Sequence, residues 1–163
     1  MQYKFKKGIT DTQIDQLVKY SQTDPTILKF TSDPTRFKDK TSASKWINNV
    51  VVHTLSDRDG NLIGIAWFHQ KTLPTDRDFT EKFNPEDFPL TFAIRIYGET
   101  RGKGLSADFM RKSFDSFKPG NVWIETSFNN IPTVKLAEKF GFKQVSKPNQ
   151  RGKIILIRNQ PAT

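Results

Sequence analysis

The sequence of 163 residues contains no cysteine, which excludes disulfides, thiolate metal sites and a covalent cysteine intermediate. Any group transfer through a thiol must therefore use a sulfur carried by the ligand. Histidine is nearly as scarce: His53 and His69 are the two present, too few to form a conventional zinc cluster by themselves. Long apolar runs are missing too. The longest, residues 62–68, falls far short of the ~20 residues of a membrane span, and the opening Met1-Gln2-Tyr3-Lys4-Phe5-Lys6-Lys7 has no apolar signal core. A soluble, cytoplasmic protein that does not enter membranes is expected. Acids are absent from residues 143–163, where Lys143, Lys147, Arg151, Lys153 and Arg158 fall.

What the chain does have is aromatic bulk and positive charge. Fourteen Phe and three Trp can build a real core, and the length suits a single domain over residues 1–163. A net charge of +9 draws anions, whether nucleic acid, an acidic protein or a phosphorylated cofactor. Residues 71–89 reverse the sign, with Asp76, Asp78, Glu81, Glu86 and Asp87 against Lys71, Arg77 and Lys82. This stretch exceeds the ~12–15 residues at which structureless loops become uncommon, so it predicts either a short helix or a lid, whose acids either hold a cationic acceptor or are simply solvated.

The first half reads as scaffold. Residues 2–9 suit a strand, and Thr10 with Gln13 forms a capping box ahead of Ile14, Leu17 and Val18 at helical spacing. Asp24-Pro25 and Asp33-Pro34 punctuate the next region, after which Thr41 or Ser42 can cap a helix carrying Ala43, Trp46, Ile47 and Val50 on one face. Strands over residues 50–56 and 62–70 flank Asp57-Arg58-Asp59-Gly60, a tight-turn signal.

The chemistry concentrates in residues 91–117. Phe92, Ile94 and Ile96 alternate with Ala93, Arg95 and Tyr97, the period of a strand. After Arg101-Gly102-Lys103-Gly104-Leu105-Ser106 the period becomes helical, with Leu105, Phe109, Met110, Phe114 and Phe117 forming a stripe and Arg111, Lys112 and Asp115 left to water. Strand, glycine turn, helix is either an anion-binding arrangement or an ordinary glycine turn with solvated cations. A helix N-terminus offers unpaired amides, glycines let a phosphate approach them, and Arg101 and Lys103 add charge. A Walker loop is excluded, because residues 98–104 place three residues, not four, before Gly-Lys and end in glycine. The dinucleotide fingerprint fits residues 102–107 in spacing, with Glu125 roughly 20 residues on as a ribose acid, although such domains normally begin with this unit.

A second signature follows. Val122-Trp123-Ile124-Glu125-Thr126 reads as a strand, and Asn129-Asn130 with Pro132 marks a helix start. Val134, Leu136 and Phe140 populate that helix, Gly141 suits a left-handed cap, and residues 142–145 and 152–158 are extended.

Together the two signatures resemble the GNAT superfamily of acyl-CoA N-acyltransferases. Arg101, Gly104 and, with a departure, Ser106 meet its Arg/Gln-x-x-Gly-x-Gly/Ala signature. Asn130, Leu136, Gly141 and Phe142 meet its Asn-x-x-Ala-x-x-Leu-Tyr-x-x-x-Gly-Phe helix, from which Thr133 and Ala137 depart. The resemblance covers residues 91–142 and implies an α/β (α+β) fold: a mixed, mostly antiparallel sheet of six or seven strands, helices on both faces, and two parallel central strands splayed around the cofactor. It implies acetyl-CoA as co-substrate and no metal. The pyrophosphate would lie on the amides of Arg101, Gly102, Lys103, Gly104, Leu105 and Ser106, and the thioester beside Ile94 and Ile96, the Ile96 N–H serving as oxyanion donor. Asn130 would contact the pantetheine or an ordered water.

Ala137 stands where the family usually places the tyrosine that protonates the departing thiolate. Either the thiolate leaves unassisted, or Tyr97 or Ser127 substitutes. Glu125 resembles a family glutamate that accepts the amine proton through water, a service needed more by a lysine, about 0.1% neutral near pH 7.4, than by an α-amine, roughly a quarter neutral. His69 is the weaker alternative base. The implied reaction moves acetyl from acetyl-CoA to a primary amine of a small molecule or protein, cationic acceptors included, by a monomer or homodimer. A non-catalytic acyl-CoA-binding protein is the alternative. A nucleic-acid-binding module ranks lower, since no recognisable reading motif accompanies the basic tail.

Overall fold

The computed structural model describes residues 2–160, leaving Met1 and the end of the basic tail, residues 161–163, outside the description. A seven-stranded sheet takes the order β1-β2-β3-β4-β5-β7-β6 with helices on both sides. β4 (Leu90–Ile96) and β5 (Val122–Ser127) are its parallel pair, with Thr91 in register with Trp123. The mixed, mostly antiparallel sheet implied by the resemblance is therefore present. The chain forms two compact units, residues 1–68 with 93–117, and residues 69–92 with 118–163.

In the first unit, β1 (Lys4–Lys7) and β3 (Leu62–Gln70) flank β2 (Val51–Ser56) in antiparallel ladders. Strand alternation sends Val52, Ile65 and Trp67 to one face, where they pack with Leu17, Ile27, Phe37, Ala43 and Tyr97. The helices on this face start where their side chains dictate. α1 (Asp11–Thr23) opens on the expected box, Thr10 accepting from Gln13 N and Gln13 accepting from Thr10 N. Two short helices, α2 (Pro25–Phe30) and α3 (Asp33–Arg36), occupy the region punctuated by the Asp-Pro steps, because proline suits a first helical turn. α4 (Lys40–Ile47) is capped by Asp39, which accepts from Ser42 N at 2.8 Å, so Thr41 and Ser42 lie inside the helix and not at its cap.

The other face receives α5 (Leu105–Phe117). Phe109 meets Phe5 edge-on at 6.0 Å and Phe114 meets Phe68 at 5.2 Å. Phe109, Met110 and Phe114 are buried as the periodicity predicts, while Phe117 is 36% exposed and stacks on Phe68 from the rim at 4.7 Å. His53 is fully buried here against Phe5 and Phe68, and burial, then the Lys7 charge, push its pKa below the usual imidazole value. Gly64 permits the close packing: a Cβ there would stand 2.7 Å from the Arg95 carbonyl oxygen and 2.9 Å from Ile96 Cδ1.

Beneath α3 lies a buried charge cluster. The fully buried Asp33 carboxylate takes Arg95 Nε at 2.8 Å and Arg95 Nη2 at 3.2 Å, and it also takes Arg36 Nη1 at 2.5 Å. Arg36 lies over Trp46 at 4.7 Å and Arg95 over Trp67 at 5.0 Å, so aromatic faces cover the guanidiniums.

In the second unit β5 pairs antiparallel with β7 (Lys153–Arg158), which also pairs with the short β6 (Lys143–Gln144). Residues 71–89 contain a single 3-10 turn, Pro85–Asp87, and are tied down along their length. Leu73 N donates to Phe88 O at 3.1 Å, Thr80 N to Val145 O at 2.8 Å, and Trp123 Nε1 to Lys71 O at 2.7 Å. Leu73 and Phe88 join Trp123, Val145, Ile155 and Ile157 in the core of this unit, with Phe79 and Phe83 packed against them. α6 (Ile131–Lys139) ends with Gly141 at φ +87°, the left-handed cap expected of that glycine.

Candidate active site

The end of β4 exposes a donor edge. Tyr97 N–H donates to Ile63 O at 2.8 Å, on the β3 side. Because successive amides along a strand point to opposite edges, the N–H groups of Ile94 and Ile96 face the edge away from β3. A 3-10 turn, Gly98–Thr100, then leads to Gly102 at φ +82° and Gly104 at φ +75°, left-handed conformations that favour glycine independently of any ligand. Apart from the adjoining residues, no atom lies within 4 Å of where a Cβ would stand on either glycine. The turn thus presents an open front at the head of the 13-residue α5, whose first amides lack helical partners. Lys103 is exposed beside it. This cradle suits a diphosphate, and its donors are main-chain groups.

The Arg101 guanidinium turns back onto its own protein, where the sequence predicts it beside the phosphate. Its Nη2 donates to Asp24 Oδ2 at 2.8 Å and to Ile96 O at 2.9 Å. Asp24 Oδ2 also accepts from Gly98 N at 3.0 Å, while Asp24 Oδ1 caps α2 through Thr26 N at 3.0 Å. Burial by itself would raise the Asp24 carboxyl. Hydrogen bonds from Arg101 and Gly98, with the Arg101 charge, bring it below its ordinary value. Tyr97 stacks on Tyr20 with centroids 4.4 Å apart and is 1% exposed. Among the described residues its hydroxyl has no hydrogen-bond partner, and burial pushes its pKa well above that of a free phenol.

In the second unit Glu125 points outward from β5 and pairs with Arg77, whose Nη2 donates to Glu125 Oε2. Asn130 is the N-cap residue of α6 but its side chain makes no capping bond. Ser127 accepts from Lys153 Nζ at 3.1 Å. Ala137 is 1% exposed, and its carbonyl oxygen accepts from both Phe140 N and Phe142 N. The acids of residues 71–89 largely meet basic partners: Glu81 with Lys143, Asp78 with Lys147, and Asp76 with Arg77.

No protein-family model and no curated protein sequence matches the chain. Solved structures do. An N-acetyltransferase from Staphylococcus aureus Mu50 superposes with a TM-score of 0.73 at 13% identity, over 98% of this chain and 99% of that one. A GNAT-family acetyltransferase from Streptococcus agalactiae 2603 gives 0.69 at 16% identity, over 98% and 96%. The chain has the GNAT acetyltransferase fold. An aminoglycoside acetyltransferase solved with coenzyme A and kanamycin also shares it, with a TM-score of 0.65 at 14% identity over 97% of this chain and 95% of that one.

Within this GNAT fold, the sequence motifs led to the glycine turn, to the strand end at Ile94 and Ile96, and to Asn130 at the head of α6. They did not lead to Asp24, Asp33 or Arg77, the partners of Arg101, Arg95 and Glu125. The Asp-Pro steps mark the two acids as turn residues, a signal of local role only. No helix among the described residues is long and apolar enough to cross a membrane.

Proposed function

We propose that the protein is an N-acetyltransferase that transfers acetyl from acetyl-CoA to a primary amine. The observation that carries this reading is the open cradle of residues 102–106, whose left-handed glycines leave amides bare at the head of α5 just beyond the donor edge of β4. The likeness to acetyltransferase structures supports it, one of them held with coenzyme A in its solved complex. Acetyl-CoA supplies an activated thioester. The residues of this chain bind and orient: the Arg101 N–H is given to Gly98 O at 3.2 Å, so the amides from Gly102 to Ser106, with Lys103, take the diphosphate, and Ile94 and Ile96 line the acyl end. The Ile96 N–H donates to the acyl oxygen as negative charge develops there. Asn130 is assigned to the pantetheine.

Proton handling follows from what each group can give. Ala137 has no proton to offer, and the Tyr97 phenol is buried and holds its proton tightly. In this reading the thiolate leaves unassisted and Tyr97 contributes by its stack on Tyr20. Glu125 is assigned as the base acting through water, with Oε2 held by Arg77. Much of the rate would come from holding both reactants in line. The amine is the open variable, and small-molecule amines and protein amines both belong in the test.

Calorimetry with acetyl-CoA, CoA and NAD tests the cofactor, and thiol release with a panel of amines tests turnover. Heat with the two coenzyme A species and amine-dependent thiol release are expected. The absence of heat with either would refute the reading. Heat without thiol release for any amine would favour a non-catalytic acyl-CoA-binding protein, the reading that the buried Ala137 keeps in play.

A further inference from the structure

From Arg101 to Ser106 the sequence predicts that the Arg101 charge stands beside the diphosphate. Instead the Arg101 guanidinium bridges the Asp24 carboxylate and the Ile96 carbonyl. Asp24 is itself 5% exposed and accepts four donors: the amides of Thr26, Ile27 and Gly98, and Arg101. One oxygen serves α2 and the other serves the β4–α5 connection. The same connection is braced by Thr100 Oγ1, which donates to Tyr97 O at 2.6 Å, and by the Tyr20–Tyr97 stack.

Strand geometry fixes what this bridge touches. Ile96 C=O points opposite to the Tyr97 N–H that bonds β3, so it lies on the edge that also carries the Ile96 N–H. Arg101 therefore anchors its own loop to the donor edge, and Asp24 holds Arg101 there. A guanidinium so committed presents its loop in one conformation before any ligand arrives. Preorganisation of that kind lowers the ordering cost of binding.

We propose that Asp24 is a positioning residue for the acetyl-CoA site: through Arg101 and the Gly98 amide it holds the loop of residues 97–104 in the conformation that presents the bare amides. The inference rests on the proposed function, and it assigns Arg101 to the loop and not to the phosphate. The two assignments of Arg101 predict opposite effects of one substitution. If Arg101 acted by touching the diphosphate, Asp24→Asn would release it and leave coenzyme affinity unchanged or tighter. If Asp24 positions the loop, the same change weakens binding.

Asparagine caps helices about as well as aspartate, so Asp24→Asn keeps the start of α2 while removing the charge that holds Arg101. The expected result is a folded protein whose melting temperature falls far less than in Asp33→Ala, with CoA affinity by calorimetry lowered about tenfold. The KM for acetyl-CoA should rise more than kcat falls. Arg101→Gln should show a similar loss, and the double variant should be no worse than either single one, since both break the same bridge. Arg101 is partly exposed, so Arg101→Gln gives a folded test even if Asp24→Asn unfolds. Unchanged or tighter binding in Asp24→Asn, full affinity in Arg101→Gln, or additive losses in the double variant would each overturn the inference. Failure of the unaltered protein to bind CoA would instead refute the proposed function, and is read separately.

Discussion

Removing the Asp33 carboxylate should be among the most damaging single changes available to this chain. Asp33 is fully buried and shared by Arg95 and Arg36, whose side chains are 17% and 25% exposed. Burial opposes its ionisation, but the Arg95 and Arg36 charges and hydrogen bonds outweigh burial and hold the carboxyl below its ordinary pKa. Asp33→Ala leaves two guanidiniums under α3 without their counter-charge. Removing one partner of a buried pair costs about 3–5 kcal/mol, and with two cations stranded the upper end, about 5 kcal/mol, is expected. Against a total stability of about 5–15 kcal/mol that is a third or more. At about 2–4 °C per kcal/mol for a chain of this size, the melting temperature should fall by about 10–20 °C.

Urea unfolding followed by tryptophan fluorescence provides the assay, because Trp46 and Trp67 lie over the two guanidiniums. The triple variant Asp33→Leu, Arg36→Met, Arg95→Met provides the control. Exchanging a whole buried ionic cluster for apolar side chains is often neutral, so this variant should retain stability within about 2 kcal/mol. A loss below about 1 kcal/mol in Asp33→Ala would refute the account of the cluster as a desolvated, mutually dependent unit.

Four further outcomes are expected. Gly64→Ala should destabilise by about 1–3 kcal/mol in chemical denaturation, because the added methyl meets the Arg95 backbone oxygen at 2.7 Å and that atom cannot rotate away. Asp24 and Asp33 have folded pKa values below their unfolded ones, so their stabilisation is complete above about pH 4 and is lost as the pH falls through the depressed native values. Urea midpoints measured from pH 6 down to pH 2 should therefore drop, and the drop should shrink in Asp24→Asn. In the thiol-release assay, Tyr97→Phe should leave turnover and its pH profile unchanged, whereas Glu125→Gln should slow the reaction most for lysine-like amines. A shifted alkaline limb in Tyr97→Phe would restore the phenol as proton donor, and full activity of Glu125→Gln at every pH would remove the base assignment.

Local signals carried a large part of the architecture. The alternation through Phe92, Ile94 and Ile96, the stripe of Phe109, Met110 and Phe114, the Thr10–Gln13 box and the left-handed Gly141 each depend on residues within a few positions of one another. For that reason they are legible in the chain. The glycine turn belongs with them, because the need for positive φ at residues 102 and 104 is local. Residues 71–89 were ambiguous between a helix and a lid because their anchors, Val145, Trp123 and Ile155, lie far away in sequence.

The same division runs through the candidate site. Motif spacing was enough to single out Arg101, Gly104, Glu125 and Asn130, since spacing survives in one dimension. What each side chain is joined to depends on partners 77, 62 and 48 positions away, for Arg101 with Asp24, Arg95 with Asp33 and Arg77 with Glu125. Charge type alone cannot choose among 26 cations and 17 acids. Only the packing of α1 to α4 on the sheet brings Asp24 and Asp33 to the strand carrying Arg95 and Ile96, and a desolvated carboxylate then takes the nearest guanidinium because leaving either charge unpaired is too costly.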